Sequence, residues 1–131
     1  MENYTFRLKP GHDLIDSIEA FAHEKRIEAG CIISGVGSLA HATLRLANQE
    51  FLTDYDDYFE IVSITGLVSV HGSHVHISIS DGEGHTLGGH LVSGCEIYTT
   101  AEIVILAFSN MVYKREMAED SGYEELVVYP I

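Results

Sequence analysis

Three histidines occur at spacings that a single β-hairpin can bring together. His74 and His76 are two residues apart in an alternating apolar segment, and His90 lies in a second such segment beyond a glycine-containing turn. Strand side chains alternate between two faces, so His74 and His76 project from the same face. Imidazole nitrogens are common zinc ligands, and a catalytic zinc keeps an open position beside three protein ligands. The spacing makes His74, His76 and His90 candidate metal ligands.

The register of this hairpin decides whether His90 joins the other two histidines. A three-residue loop, residues 82–84, would pair His76 with His90 and place the apolar residues of both strands on the opposite face. A loop of two or four residues would turn His90 away, bury Thr86 and expose Leu87. The amphipathic pattern therefore favours the three-residue loop. It predicts a site for zinc or another divalent transition metal, the alternative being a solvated strand face without a metal.

The surroundings of the three histidines add two expectations. Gly88 and Gly89 directly precede His90, and the missing side chains leave room for an ion or a substrate. His71 and His85 lie near the hairpin and are candidates to contact the ligands. The remaining histidines carry no such geometry and are predicted to be surface residues: His12, His23 and His41.

The rest of the sequence predicts an α+β fold, with a mostly antiparallel twisted sheet of about seven strands and one main helix. Asp13 has the character of a helix N-cap, and apolar residues at helical spacing extend the helix to about Lys25. Residues 47–57 are predicted to form an acidic loop, and residues 114–122 a polar stretch before a final strand at 125–129. One helix can cover only one face of such a sheet, so we expect an oligomer to cover the other.

A G-x-G-x-x-A motif spans residues 35–40. In dinucleotide-binding proteins this motif opens a helix whose N-terminus binds the pyrophosphate. Here the following residues alternate like a strand. The motif is therefore interpreted as a tight bend and not as a nucleotide site.

Composition and charge restrict the possible functions. The 131 residues, 46% of them hydrophobic, fit one domain over residues 1–131. Twenty acidic residues against seven Lys and Arg give a net charge of −13, which disfavours direct binding of nucleic acid. No apolar run approaches the roughly 18 residues of a membrane span, and no signal peptide is recognisable, so we expect a soluble cytoplasmic protein. Cys31 and Cys95 form no recognisable motif and are expected to be buried.

Five segments of the chain, in this order, resemble the PPC domain (plants and prokaryotes conserved), and the similarity extends over roughly residues 4 to 130. The matching segments are Gly35-Val36-Gly37-Ser38-Leu39, Ala42-Thr43-Leu44-Arg45, Phe59-Glu60-Ile61, His74-Val75-His76-Ile77-Ser78 and Gly88-Gly89-His90-Leu91.

The resemblance implies a compact α+β sheet domain that assembles as a homotrimer. In plants the PPC domain follows AT-hook motifs in nuclear proteins, where it supports assembly and partner binding. This sequence has no AT-hook, so the label of a DNA-binding protein transfers poorly. The fold is also similar to that of acetolactate decarboxylase, which binds zinc through three histidines. A comparable triad of prokaryotic PPC proteins matches His74, His76 and His90.

Two hypotheses about function follow. The first is a metal-dependent enzyme acting on a small carboxylate or ester, with Arg45 holding a substrate carboxylate and Glu102 serving as general acid or base. Structural ion pairing of Arg45 and an interface contact of Glu102 are the alternatives. The second is a non-catalytic trimeric module that binds a metal or small ligand and a protein partner. DNA binding would require a partner that supplies the basic surface.

Overall fold

Ten β-strands and one α-helix make up the chain in the computed structural model, which describes residues 1–131. The elements are β1 (Glu2–Leu8), α1 (Leu14–Glu24), β2 (Gly30–Leu39), β3 (Ala42–Arg45), β4 (Thr53–Tyr55), β5 (Phe59–Val68), β6 (His74–Ser80), β7 (Thr86–Leu91), β8 (Ile97–Ala107), β9 (Met111–Met117) and β10 (Glu124–Pro130). The first eight strands form one sheet in the order β1-β8-β2-β5-β6-β7-β3-β4, and β9 and β10 form a separate ribbon. All strand pairs are antiparallel, so the predicted α+β class is confirmed.

Helix α1 begins at the predicted N-cap. One carboxylate oxygen of Asp13 accepts a hydrogen bond from the backbone N–H of Asp16 at 3.0 Å. The other accepts from the backbone N–H groups of Gly94 and Cys95, at 2.7 and 2.9 Å. A single carboxylate thus caps the helix and ties it to the segment between β7 and β8.

The hydrophobic core lies between α1 and one face of the eight-stranded sheet. The helix contributes Leu14, Ile15, Ile18 and Ala22 to it. The hairpin β6–β7 contributes Val75, Ile77, Ile79 and Leu91. The opposite face of the sheet exposes large apolar side chains: Ile33, Val36, Val62 and Tyr98. The helix therefore covers only one face, as predicted.

The structure corrects the predicted strand count. Residues 47–57, predicted as a loop, contain β4, and residues 114–122, predicted as a polar stretch, contain the second half of β9. Both strands bury few side chains, so the alternation that marks a half-buried strand is weak in their sequences. The structure contains no helix with the length and apolar character that crossing a membrane requires.

The tight bend predicted at residues 35–40 is wrong, because most of this segment lies inside β2. A Cβ atom on Gly37 would lie 2.1 Å from the carbonyl oxygen of Thr100 in β8, and one on Gly35 would lie 2.2 Å from Cγ2 of Ile64. The pairing of β2 with β8 also shifts register between Ile32 and Ser34 and again between Gly37 and Leu39. The glycines permit close contact between strands rather than a turn.

Candidate metal centre

The hairpin β6–β7 has the predicted register. His76 pairs with His90 and Ser80 with Thr86, and the backbone N–H of Asp81 donates to the carbonyl oxygen of His85 at 2.9 Å. Gly84 closes the three-residue loop with a φ of +83°, a conformation that glycine adopts without strain. The register places all three candidate histidines on the sheet face opposite the core.

The three imidazoles converge on one point of this face. Candidate ligand nitrogens of His74, His76 and His90 all lie within 4.8 Å of one another, and no cysteine or carboxylate belongs to the group. The Nε2 atoms of His74 and His76 are 3.1 Å apart. Nitrogens bound to a tetrahedral zinc at ~2.0–2.1 Å lie about 3.3 Å apart. The three-imidazole donor set suits zinc or a similar divalent ion, and the separation of the His74 and His76 nitrogens is close to that value.

Burial and nearby charge favour the neutral form of His74 and His90 by lowering their pKa values. Partial burial, followed by the nearby charge of Arg45, lowers the pKa of His90 from 6.5 to about 4. Burial also lowers the pKa of His74, with smaller contributions from His76 and Arg115. A neutral imidazole has a free nitrogen lone pair, which is the form that binds a metal.

The two glycines beside His90 have a packing role in the hairpin. A Cβ atom on Gly88 would lie 2.3 Å from the carbonyl oxygen of Ile77, and one on Gly89 would lie 2.9 Å from that of Arg45. Both contacts are too close for a side chain. These glycines let β7 lie against β6 and β3, and thereby fix the position of His90.

His74 and His90 border a cavity of about 1150 Å³ between the sheet and the ribbon β9–β10. Its charged lining residues include Arg45, Arg115 and Glu125. Arg45 is the cross-strand partner of His90, so the structure brings this predicted substrate-binding residue to the site. Arg115 and Glu125 were not predicted from the sequence, because they lie on the ribbon, whose position depends on tertiary packing.

Glu102, the predicted general acid or base, is not brought to the histidines within one chain. It lies on β8, which is separated from β6 by β2 and β5, a distance of about 14 Å at the usual strand spacing. Its carboxylate accepts a hydrogen bond from the Thr100 hydroxyl at 3.2 Å. In the same chain the acids that line the cavity are Glu50, Glu124 and Glu125.

The other candidate residues lie outside the triad. His71 lines the cavity, and its Nε2 is 3.0 Å from a carboxylate oxygen of Glu28. His85 is largely exposed on the hairpin loop, 3.6 Å from Asp81. Cys95 is buried, as predicted, whereas Cys31 is only partly buried, and both are free thiols.

Fold and site together define a small α+β protein with a three-histidine cluster on the sheet face opposite its core. A model of the Plants and Prokaryotes Conserved (PCC) domain matches residues 1–109. The chain belongs to this family, which confirms the resemblance to the PPC domain.

Two curated relatives show the family in longer proteins. The chain is 41% identical over 128 residues to a bifunctional protein GlmU of Synechococcus, covering 98% of this chain and 20% of that protein. It is 29% identical over 126 residues to AT-hook motif nuclear-localized protein 20 of Arabidopsis thaliana, covering 92% of this chain and 44% of the relative. The chain thus spans less than half the length of these relatives.

Solved structures of similar proteins have the same fold. A hypothetical protein of Salmonella cholerae-suis superposes with a TM-score of 0.96 at 35% identity, over 98% of this chain and 94% of the other. A metal-containing protein of Archaeoglobus fulgidus superposes with a TM-score of 0.85 at 29% identity, over 97% of this chain and 94% of the other. A Staphylococcus aureus protein similar to α-acetolactate decarboxylase superposes with a TM-score of 0.54 at 18% identity, over 81% of this chain and 52% of the other. This similarity shows likeness of fold alone.

Proposed function

We propose that this protein is a homotrimeric, cytoplasmic metal-binding protein that holds zinc, or another divalent transition metal, through His74, His76 and His90. The observation that carries the proposal is the convergence of three imidazole nitrogens within 4.8 Å on one strand pair. The lowered pKa values of His74 and His90 support it, because protons compete weakly with a metal for these nitrogens. The similar Archaeoglobus protein, described as metal-containing, adds independent support.

The metal content of purified protein tests this proposal. Mass spectrometry of protein prepared without a nickel column should find about one ion per chain, with affinity lost in His76→Ala. His85→Ala is the matched control, because His85 lies on the exposed loop of the same hairpin. Wild-type protein that carries no metal and takes none up on titration would contradict the metal site.

A more specific form of this proposal is that the protein is a metal-dependent enzyme that acts on a small carboxylate or ester. A divalent ion held by the triad would polarise a carbonyl oxygen or activate water. Arg45 lies across the strand pair from His90, and its guanidinium is suited to hold a substrate carboxylate by two parallel hydrogen bonds. Glu102 can act as general acid or base only on a site of another subunit, since its own triad is too distant.

Turnover distinguishes an enzyme from a binding module. We expect metal-loaded protein to convert at least one compound in a panel of small keto acids and esters. Arg45→Gln should raise KM more than it lowers kcat, because the lost contact with the carboxylate is equally strong in the ground state and the transition state. Loaded wild-type protein without turnover on the panel would favour the second candidate, a non-catalytic module that binds a ligand and assembles with partners. The presence of the domain in longer relatives favours that candidate.

Direct binding to DNA is not part of the proposal. The Arabidopsis relatives are AT-hook proteins, but this chain has seven Lys and Arg against twenty acidic residues, and phosphate contacts require cations. A regulatory role on DNA would act through a partner that carries the basic surface. A gel shift at moderate salt with the isolated chain should show no complex.

A further inference from the structure

Two arginines without ionic partners face the cavity beside the histidine cluster. Arg45 on β3 and Arg115 on β9 line the same cavity as His74 and His90. The chain has twenty acidic residues and only seven Lys and Arg. Even so, neither of these two arginines forms a salt bridge or a side-chain hydrogen bond. No Lys or Arg of the chain forms a salt bridge, so the feature that distinguishes Arg45 and Arg115 is that both line the cavity beside His74 and His90.

Arg115 is fixed in this position by packing. Its Nε atom is buried and has no hydrogen-bond partner. Its Cγ lies over Gly72, where an added Cβ would come within 3.1 Å of it. A buried donor without a partner costs free energy, commonly about 1–3 kcal/mol. The structure thus holds the Arg115 side chain at the cavity wall without a protein partner for this donor.

Arg45 and Arg115 are the two cationic side chains in the lining of a cavity that also contains three acids. Arg45 is the cross-strand partner of His90, and Arg115 lines the same cavity as His74, so both guanidiniums would repel a divalent cation bound at the histidines. The acids that line the cavity are Glu50, Glu124 and Glu125. None of them forms an ion pair with either arginine. An anion placed between the metal and the guanidiniums would attract both.

We propose that the cavity binds a small organic anion with a carboxylate and a second oxygen donor, such as a dicarboxylate or a 2-oxo acid, together with the metal. Arg115 and Arg45 hold the carboxylate, and the second oxygen faces the ion at the histidines. This inference rests on the proposed metal site. Because the two ligands attract each other, each raises the affinity of the other by the same factor.

Zinc affinity of the full chain, measured at buffered free-zinc concentrations with and without malonate, tests the coupling. We expect malonate to tighten zinc binding about tenfold, within the usual range of coupling between sites. Arg115→Gln and Arg45→Gln should each still bind zinc, since the triad is intact, but should lose the enhancement. Lys114→Gln is the control for charge, because Lys114 is exposed and lies over the Tyr129 ring, 5.6 Å from its centroid.

The outcomes separate this inference from the metal site itself. Zinc binding that malonate leaves unchanged, or enhances equally in Arg115→Gln and Arg45→Gln, overturns the anion site while the metal site stands. Enhancement by inorganic phosphate without enhancement by malonate overturns the assignment to carboxylates. Failure of wild-type protein to bind zinc under either condition overturns both proposals. Circular dichroism of each variant ensures that the comparison is made between folded proteins.

Discussion

Each histidine of the triad owes its position to strand geometry. His74 and His76 share a face because side chains alternate, and His90 lies across from His76 because the loop has three residues. These three positions could be predicted from the sequence, since alternation and loop length are local properties. Arg115 could not, because it comes from a ribbon whose docking beside the cavity depends on contacts distant in sequence.

At the residue scale, the lowered pKa of His90 predicts a pH dependence of stability in metal-free protein. As the pH falls, His90 takes up a proton near pH 6.5 in the unfolded chain but only near pH 4 in the folded chain. Between these values the unfolded state binds more protons, so the contribution of His90 to stability decreases as pH falls. The melting temperature of His90→Gln should therefore fall less between pH 7 and pH 5 than that of the wild type.

Thermal unfolding in the presence of a chelator measures this difference. His85→Gln serves as the control, because it removes an imidazole from the exposed hairpin loop. It should follow the wild-type curve more closely than His90→Gln does. Equal pH dependence in wild type and His90→Gln would show that His90 titrates alike in the folded and unfolded chains.

At the element scale, the helix, the hairpin and the buried strands were predictable because each has a strong periodic pattern. The N-cap at Asp13 and the hairpin register follow from local chemistry. β4 and β9 were not predicted, because exposed strands lack the alternation of apolar and polar residues that marks a half-buried strand. The bend predicted near Gly37 was wrong because a glycine required for contact between strands has the same local signature as one required for a turn.

The close strand contact at Gly37 predicts a large effect of one added methyl group. Gly37→Ala would place Cβ 2.1 Å from the backbone oxygen of Thr100, which cannot move without disturbing β8. We expect a loss of about 3 kcal/mol in the free energy of unfolding. Gly82→Ala, where no atom lies within 4 Å of the added Cβ, should change it by less than ~0.5 kcal/mol. Urea denaturation of both variants checks this, and equal effects would contradict the packing role assigned to Gly37.

At the scale of the whole molecule, the uncovered sheet face is the feature that needs an explanation. Ile33, Val36, Val62 and Tyr98 are all exposed on it. A monomer would leave this apolar face in water, whereas a symmetric assembly would cover it. The sequence predicted this situation from the imbalance between one helix and many strands. The proposed homotrimer is one such assembly.

The trimer predicts a specific effect of a charge on this face. Val36→Glu should shift the molar mass measured by light scattering from that of three chains toward that of one, because burying an unpaired carboxylate is unfavourable. Val128→Glu, the same change on the separate ribbon β10, should leave the mass unchanged. A wild-type protein that is monomeric at micromolar concentration would contradict the proposed assembly.

X-ray absorption at the zinc edge of zinc-loaded protein would show whether the three histidines of this hairpin hold one metal ion. We expect three imidazole nitrogens at ~2.0–2.1 Å with oxygen completing the coordination, and fewer imidazoles around any zinc that His76→Ala retains. A sulfur ligand at ~2.3 Å, or a shell without imidazole scattering, would contradict it by placing the ion elsewhere.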